Sequence, residues 1–367
     1  MRKIKNFMIA VLCAVFAYCM CACSNSNDSP PVIYIVSGGN ETETVTINGK
    51  DFKIVSFGSW PQTIKAANVS VDVSQTKKVG LFTYCKGSDG EWYFKTKEKA
   101  YSSGYKYSDG TKVAQSSANS YKWFKVEPIK WRVLTDNYNG SGKKLLLAEI
   151  VFPEISYYDF DAFNYDDVKR NIDGKVVYSN NYEHSKIRAL LNGLSWQTKT
   201  SPSASQSTCG DYKNKGILQT AFSEEDQAAI AVTVVDNSVR TTLPDNFDDM
   251  SDSDKKWFGN GNNSHASDTP THDKLFLLSE QEVTRAEYGF SKYSDVCDKA
   301  RVRVVTDYAK ASGAPLNTYA GKSAAWWLRS PWHLDSCAHF VDGDGAASRQ
   351  DGGVNFTNGF APALCLD

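Results

Sequence analysis

Short runs of β-forming residues, each closed by a turn signal, dominate the first half of this 367-residue chain. Asn48-Gly49 closes one run, and Asp89-Gly90 lies between two aromatic runs, which is typical of a β-hairpin. The sequence has no repeat with a period of roughly 20–50 residues, which disfavours solenoids and propellers. Strands are predicted over residues 44–47, 52–57, 78–84, 91–95, 129–134 and 144–149.

Helical patterns are fewer and lie in the second half. Residues 184–194 carry apolar side chains at three- and four-residue spacing, which predicts one buried helical face. Ser223 precedes an acidic run and opens a second short helix. Ser279 is followed by Glu282 in the spacing of a capping box, which predicts a helix start directly after a buried strand over 275–278. Residues 236–273 are polar and rich in Asp, Asn, Ser and Gly, which predicts a long surface loop.

Strand-like runs return near the C-terminus, at residues 326–328, 338–341, 353–356 and 363–366. Trp326 and Trp327 are predicted to point to opposite faces of their strand, one into the core and one half exposed. Arg329 is predicted to be a buried, paired guanidinium. Strands at both ends with helices between them predict an α+β domain with a mixed or antiparallel sheet, long loop insertions and paired terminal strands.

The first 23 residues have the pattern of an export signal. Basic side chains precede Phe7, and an uncharged stretch then runs to Cys23. A bilayer-spanning helix needs about 20 apolar residues, so the stretch suits a signal peptide better than an anchor. Residues 20–23, Met-Cys-Ala-Cys, resemble a bacterial lipobox, which implies lipidation of Cys23. Lipidation of Cys21, a plain signal peptide and an uncleaved anchor stay open.

Cleavage before Cys23 defines three segments: a lipoprotein signal peptide over 1–22, a lipidated polar tether over 23–49, and one large domain over 50–367. The whole chain has 41 Lys and Arg against 42 Asp and Glu, and the signal peptide would remove three of the basic residues. A balance this close to neutral argues against nucleic acid as a partner. The predicted location is the bacterial envelope, at the outer membrane or cell surface, with the membrane contacted through the lipid.

The number and spacing of the cysteines limit the metal, redox and disulfide sites that the chain can form. Nine Cys are present, and four of them lie in the export segment. The remaining five are not spaced as CxxC, which disfavours a zinc ribbon or a thioredoxin-type site. An odd number permits at most two disulfides, and their pairing cannot be assigned from sequence. These five residues are Cys85, Cys209, Cys297, Cys337 and Cys365.

Six segments in order resemble an uncharacterised domain family that is common on bacterial surface lipoproteins. They begin with the Phe-Gly-Ser-Trp-Pro-Gln-Thr run at 57–63 and include Trp-Trp-Leu-Arg-Ser-Pro at 326–331. The resemblance spans roughly residues 52–367. The remaining segments are 128–134, 185–192, 276–279 and 362–364.

A more distant resemblance concerns the fold. Residues 277–282, 328–330 and 359–362 are similar to segments of the formylglycine-generating-enzyme-like branch of the C-type-lectin fold. Ala361 replaces the Arg that is usual there, and Ser330-Pro331 replaces a Gly-Gly turn. The resemblance implies a C-type-lectin-like domain that binds a ligand, with a diversified receptor as one form. An oxidative or hydrolytic enzyme on the same scaffold and a structural envelope protein are the alternatives.

Catalytic motifs are scarce. The chain has no GxSxG or HExxH motif, and Gly-Ser-Gly-Lys at 140–143 lacks the spacing of a phosphate-binding loop. Asp342-x-Asp344-Gly345 begins like a calcium loop but lacks its later ligands. No catalytic residue, cofactor or metal ligand is therefore predicted, and calcium is left open.

The segment 332–356 mixes aromatic, charged and amide side chains in predicted loops. Such groups on a rigid scaffold are typical of recognition surfaces. We expect an extracellular protein or a glycan as the ligand, although an ordinary polar loop is the alternative. The candidate ligand-binding residues are Trp332, His333, Asp335, His339, Asp342, Asp344, Arg349, Asp351 and Asn355.

Overall fold

The predicted strands of the first half all enter one antiparallel sheet. The computed structural model describes residues 43–158, 169–172, 175–196, 212–256, 269–316, 323–332, 336–347 and 352–367. The nine strands of this sheet are β1 (Glu43–Ile47), β2 (Lys50–Ile64), β3 (Val71–Val79), β4 (Phe82–Gly87), β5 (Trp92–Lys97), β6 (Tyr121–Thr135), β7 (Lys144–Ala148), β13 (Leu275–Phe276) and β19 (Ala363–Leu366). Their order is β13-β19-β7-β6-β5-β4-β3, with β2 paired to β6 and β1 paired to β2.

Strand β6 organises this sheet because it is long enough to pair with three neighbours. Its first part pairs with β5, its middle with β2, and its last part with β7. Strand β7 is apolar without alternation, and residues 145–148 are fully buried. A continuous apolar run of this kind fits a strand that is covered on both faces.

A second sheet of six strands mixes parallel and antiparallel pairs, in the order β14-β8-β18-β15-β16-β17. Pairs β14–β8 and β18–β15 are parallel, and the other three are antiparallel. Two short ribbons, β9–β10 and β11–β12, lie outside both sheets. The strands are β8 (Ile150–Ser156), β14 (Val304–Val305), β15 (Trp326–Pro331), β16 (Cys337–Val341), β17 (Gly352–Gly353), β18 (Thr357–Phe360), β9 (Lys169–Ile172), β10 (Lys175–Tyr178), β11 (Thr233–Val235) and β12 (Thr271–Asp273).

The helices are short, and this corrects the expected fold class. The described residues are mostly β, with 41% strand and 18% helix, so the expected α+β class is wrong and the C-type-lectin-like architecture is not confirmed. The predicted caps at Ser223 and Ser279 are present, but a cap specifies where a helix begins and not how long it is. The α-helices are α1 (Lys186–Asn192), α2 (Ile217–Ala221), α3 (Glu224–Ala229), α4 (Asp252–Lys255), α5 (Glu280–Val283) and α6 (Asp307–Ala311).

The main core joins both sheets to helix α1. Ile187 and Leu191 of α1 belong to the same buried cluster as Trp131 of β6 and Trp327 of β15. Both Trp326 and Trp327 are fully buried, so the prediction that one would be half exposed is wrong. Strand β15 is covered on both faces: Trp326 Nε1 donates to the Arg301 carbonyl at 3.1 Å, and the Trp327 ring packs against Tyr157 and Phe340. Residues 241–244, which were predicted to lie in a surface loop, are also buried. Ser330 Oγ donates to the Thr241 carbonyl at 2.8 Å.

Three further strand predictions are wrong in detail. Residues 78–84 are divided between β3 and β4, because Gly80 adopts a positive φ of 51° and turns the chain. Residues 353–356 end in a turn that leaves the Phe356 side chain 65% exposed. The terminal strands share a sheet but do not pair, since β19 lies between β7 and β13.

Buried ion pairs tie the loops to the sheets. The predicted pairing of Arg329 is confirmed: its guanidinium donates to Glu282, which also accepts the Tyr138 hydroxyl at 2.6 Å. Glu149, between β7 and β8, accepts two hydrogen bonds from Arg132 and one from Arg303.

Among the described residues, no helix combines the length and apolar character needed to cross a bilayer.

Candidate functional site: a pocket beside helix α1

A pocket of about 440 Å³ opens beside the N-terminal end of α1. Ligand-binding pockets typically measure about 300–1,000 Å³, so this one is large enough for a small molecule. Aliphatic and aromatic side chains form one part of its wall, and charged or polar side chains form the rest. The lining residues within the described part of the chain are Ile172, Glu183, His184, Ser185, Arg188, Ala189, Leu194, Ser195 and Trp196.

Arg188 forms the charged floor of this pocket with Asp273 of β12. Arg188 Nε donates to both carboxylate oxygens of Asp273, at 2.9 and 3.0 Å, and Nη2 lies 2.8 Å from Oδ1. Burial alone would lower the pKa of Arg188, but the hydrogen bonds and charge of Asp273 outweigh it and raise the pKa. Arg188 Nη1 donates to the Glu183 carbonyl at 2.8 Å, so the guanidinium is held in place from two sides.

Glu183 and His184 form the polar part of the wall. His184 Nε2 lies 3.8 Å from Glu183 Oε2, and both side chains are half-buried. Their backbone is fixed, since the His184 amide donates to Asn181 Oδ1 at 3.2 Å. Two groups that can donate or accept hydrogen bonds therefore lie at the pocket mouth on a positioned segment.

Trp196 forms the aromatic part of the wall. Its ring is 9% exposed and makes an edge contact with Tyr158, at 5.7 Å between centroids. The indole Nε1 is buried and has no hydrogen-bond acceptor among the described residues. A buried indole N–H usually has an acceptor, so this unsatisfied donor is an exception within the wall of the pocket.

Ser185 lines the pocket but is engaged in capping α1. Its hydroxyl donates to the Tyr182 carbonyl at 2.8 Å and accepts the Arg188 amide at 3.1 Å. The hydroxyl proton therefore points away from His184, which is not the geometry of an activated nucleophile. The sequence Glu-His-Ser at 183–185 does not form a catalytic triad.

The predicted ligand-binding residues of segment 332–356 do not form a single exposed face in the described structure. Trp332 is half-buried, and His339 is only 2% exposed. The His339 ring contacts the Trp332 ring edge-on, and His339 Nδ1 lies 3.3 Å from the buried carboxylate of Glu280. Neither carboxylate oxygen of Glu280 accepts a hydrogen bond among the described residues.

Asp342 and Asp344 stabilise the turn that follows β16. Asp342 Oδ1 accepts the Gly343 amide at 2.6 Å, and Asp344 Oδ1 accepts the Ala346 amide at 2.9 Å. Asn355 is half-buried in the turn before β18. The other predicted residues, His333, Asp335, Arg349 and Asp351, lie outside the described residues, as does the predicted lipidation site Cys23.

The pocket and the predicted recognition segment are directly connected. Asn180, three residues before Glu183, donates from Nδ2 to the carbonyl oxygens of Trp332 at 3.2 Å and Cys337 at 2.9 Å. The chain that carries the pocket's polar wall is therefore held against the start of segment 332–356.

Two observations limit the chemistry of the described residues. Cys337 and Cys365 are both free, buried thiols, and burial raises the pKa of Cys365 to about 11. No group of three or more His, Cys, Asp or Glu in the described part of the chain is placed to hold a metal ion.

The α1 helix was predicted from sequence, but the pocket beside it was not. Apolar spacing marks the buried face of α1, whereas the pocket depends on Asp273, 85 residues after Arg188. A signal was present, since an Arg on the polar side of a short helix needs a carboxylate partner when it is half-buried. The sequence alone does not say which carboxylate supplies it.

One protein-family model matches this chain. The model of a family described as a domain of unknown function, DUF6273, matches residues 141–367, well over half of the chain. The protein belongs to the DUF6273 family. The matched segment contains α1, every lining residue of the pocket and both sides of the Arg188–Asp273 pair, whereas β1 to β6 precede it. No curated protein and no solved structure matches the chain.

Proposed function

We propose that this DUF6273 protein is an exported, lipid-anchored binding protein that holds a small polar ligand in the α1 pocket. The observation that carries the proposal is the pocket itself, which measures about 440 Å³ and has aromatic, aliphatic and polar side chains among its described lining residues. Pockets with apolar walls and a few fixed polar groups are the usual form of ligand sites.

The charges in the pocket favour a neutral polyhydroxyl ligand, and we propose a saccharide unit. Asp273 already neutralises Arg188, so the floor offers no unpaired cation to an anionic ligand. Glu183 and His184 can exchange hydrogen bonds with hydroxyl groups, and Trp196 supplies an aromatic surface. The apolar C–H groups of a sugar would face Leu194 and Ala189.

An enzyme on this scaffold is the less favoured alternative. The Ser185 hydroxyl is committed to capping, and the buried Cys365 thiol is protonated at neutral pH because burial raises its pKa to about 11. Ser185 is therefore not placed as a nucleophile, and the Cys365 thiol is a weak one at neutral pH, which is why we favour binding over catalysis.

Anchoring at Cys23 is part of the proposal and rests on the sequence around it. Cys23→Ser should abolish incorporation of radiolabelled palmitate and release the protein into the soluble fraction, because only the thiol accepts the lipid. Labelling that persists in this variant would move the site to Cys21 or exclude lipidation.

A glycan array tests the binding function. Purified residues 23–367 should retain at least one class of glycan, and Glu183→Gln combined with His184→Ala should abolish that signal. The matched control is Glu225→Gln with His272→Ala, which changes the same residue types at exposed positions outside the pocket. Retention that is equal for both double variants would show that the array reports another surface.

A further inference from the structure

The outer face of the large sheet carries alternating lysine and aromatic side chains on β5 and β6. Lys95 is directly opposite Trp123, and Lys97 is directly opposite Tyr121. Side chains of directly opposed residues lie on the same face of an antiparallel pair, and residues two apart share a face. These four side chains therefore form one continuous patch on the face away from Phe94 and Phe124.

Lys95 lies between the two aromatic rings. Its Nζ is 5.5 Å from the centroid of Tyr121 and 5.5 Å from that of Trp123, within the range of cation–π attraction. The Tyr121 side chain is 52% exposed, and Trp123 is half-buried. Large aromatic side chains that remain exposed beside a cation are a recurrent feature of recognition surfaces.

The positive character continues onto β3. Lys78 is opposite Thr83 of β4, and Cys85, two residues further along β4, is opposite Tyr93 of β5. The period of two then places Lys78 and Lys95 on the same face. Among the described residues, no carboxylate forms an ion pair with Lys78, Lys95 or Lys97.

The composition of this region agrees with the patch. Residues 71–130 contain 11 Lys and no Arg against six Asp and Glu, although the chain as a whole has a net charge of −1. The region also lies entirely before the matched DUF6273 segment. An excess of one charge sign that is confined to one part of a chain indicates a partner of opposite charge.

We propose that this lysine–aromatic face, formed by Lys78, Lys95, Lys97, Tyr121 and Trp123, binds an acidic polysaccharide. The ammonium groups pair with carboxylate groups of successive sugars, and the two rings pack against the C–H faces of the sugar rings. Lys95 and Lys97 are separated by two strand residues, or about 6.6 Å along the sheet, so both can contact one extended polymer chain.

The rim of the face favours a single polymer chain over a broad anionic surface. Asp72 and Asp89 are exposed at the neighbouring strand ends, and Glu91 pairs with Lys125 at 3.3 Å. An anionic membrane would have to approach these carboxylates, whereas a narrow chain can follow the lysines and avoid them. The absence of Arg between residues 43 and 131 disfavours nucleic acid, whose phosphates and guanines are preferentially bound by Arg.

The test measures binding of purified residues 23–367 to hyaluronan by affinity electrophoresis, with dextran as the neutral polymer. Lys95→Gln with Lys97→Gln should weaken hyaluronan binding at least about tenfold, because the carboxylate groups of the polymer lose two charged hydrogen-bond donors. Lys106→Gln with Lys112→Gln is the matched control, because it removes the same charge from an exposed hairpin outside the patch. Binding should also weaken as NaCl rises from about 50 to 300 mM, because exposed charges are screened by salt.

Two further arms identify the partner class. A dT oligonucleotide and vesicles containing phosphatidylglycerol should bind more weakly than hyaluronan. Tighter binding of either one, equal loss of hyaluronan binding in both lysine double variants, or an equal loss of dextran and hyaluronan binding in Lys95→Gln with Lys97→Gln would overturn the proposal. Loss of saccharide binding in the α1 pocket variants would not affect this test, because the face and the pocket share no residue.

Discussion

Arg188 and Asp273 form a buried pair that joins helix α1 to strand β12 at the floor of the pocket. The Asp273 side chain is 1% exposed and that of Arg188 is 17% exposed, so water stabilises neither charge well. The pair therefore has two consequences. It fixes the pocket's polar wall, and it cancels the charge that would otherwise select an anionic ligand.

Breaking this pair should destabilise the protein. Asp273→Ala leaves Arg188 buried without its partner, and the free energy of unfolding should fall by about 3–5 kcal/mol. Urea denaturation followed by tryptophan fluorescence measures this change. A loss that is no larger than that of Glu225→Gln would mean that Arg188 is solvated and that the pocket floor is not as described.

The sequence predicted the positions of most secondary-structure elements better than their lengths and packing. Turn residues and apolar spacing located β1, β5 and α1, because these signals are local. The burial of both Trp326 and Trp327 was missed, because it depends on partners that are distant in sequence, the Arg301 carbonyl for Trp326 and the Tyr157 ring for Trp327. The pocket was missed for the same reason, since its floor joins residues 85 positions apart.

Trp327 provides a direct test of that packing. Its ring is fully buried against Tyr157 and Phe340, and Nε1 donates to the Ile155 carbonyl at 2.9 Å. Trp327→Ala should lower the free energy of unfolding by about 3–5 kcal/mol. Phe356→Ala, at a 65% exposed position in the same part of the chain, should change it by less than about 0.5 kcal/mol. Similar effects of the two changes would contradict the described burial.

The Glu282–Arg329 pair should make stability depend on acid. Burial pushes the pKa of Glu282 upward, but the charge of Arg329 and the hydrogen bonds from Arg329 and Tyr138 outweigh it, so the pKa lies below its usual range. A carboxyl group with a lower pKa in the folded state stabilises fully above its unfolded pKa. That contribution is lost as the pH falls through the folded pKa.

Glu282→Gln tests this linkage. The substitution should cost about 3–5 kcal/mol at pH 7, because Arg329 loses its partner. It should also flatten part of the decline in stability below about pH 4, where the wild-type carboxylate takes up its proton. Part of the decline should persist, because the pKa of Glu149 is also lowered. Burial raises that pKa, but the charges and hydrogen bonds of Arg303 and Arg132 outweigh the effect of burial. An unchanged acid profile would exclude Glu282 as a contributor.

The thiols should differ in reactivity. Cys297 is exposed, whereas Cys365 is fully buried and burial raises its pKa to about 11. With a maleimide at pH 7, native protein should be labelled at Cys297 within minutes and at Cys365 only after unfolding. If peptide mapping under non-reducing conditions found Cys365 in a disulfide, that result would contradict the free thiol described here.

Saturation-transfer difference NMR can detect directly whether the α1 pocket binds a saccharide. The probes are methyl glycosides of glucose, galactose and N-acetylglucosamine, added to residues 23–367. We expect saturation transfer to at least one glycoside, with loss of that transfer in Glu183→Gln with His184→Ala and full retention in Glu225→Gln with His272→Ala. Absence of transfer to all three glycosides, or transfer that survives in the pocket variant, would contradict it.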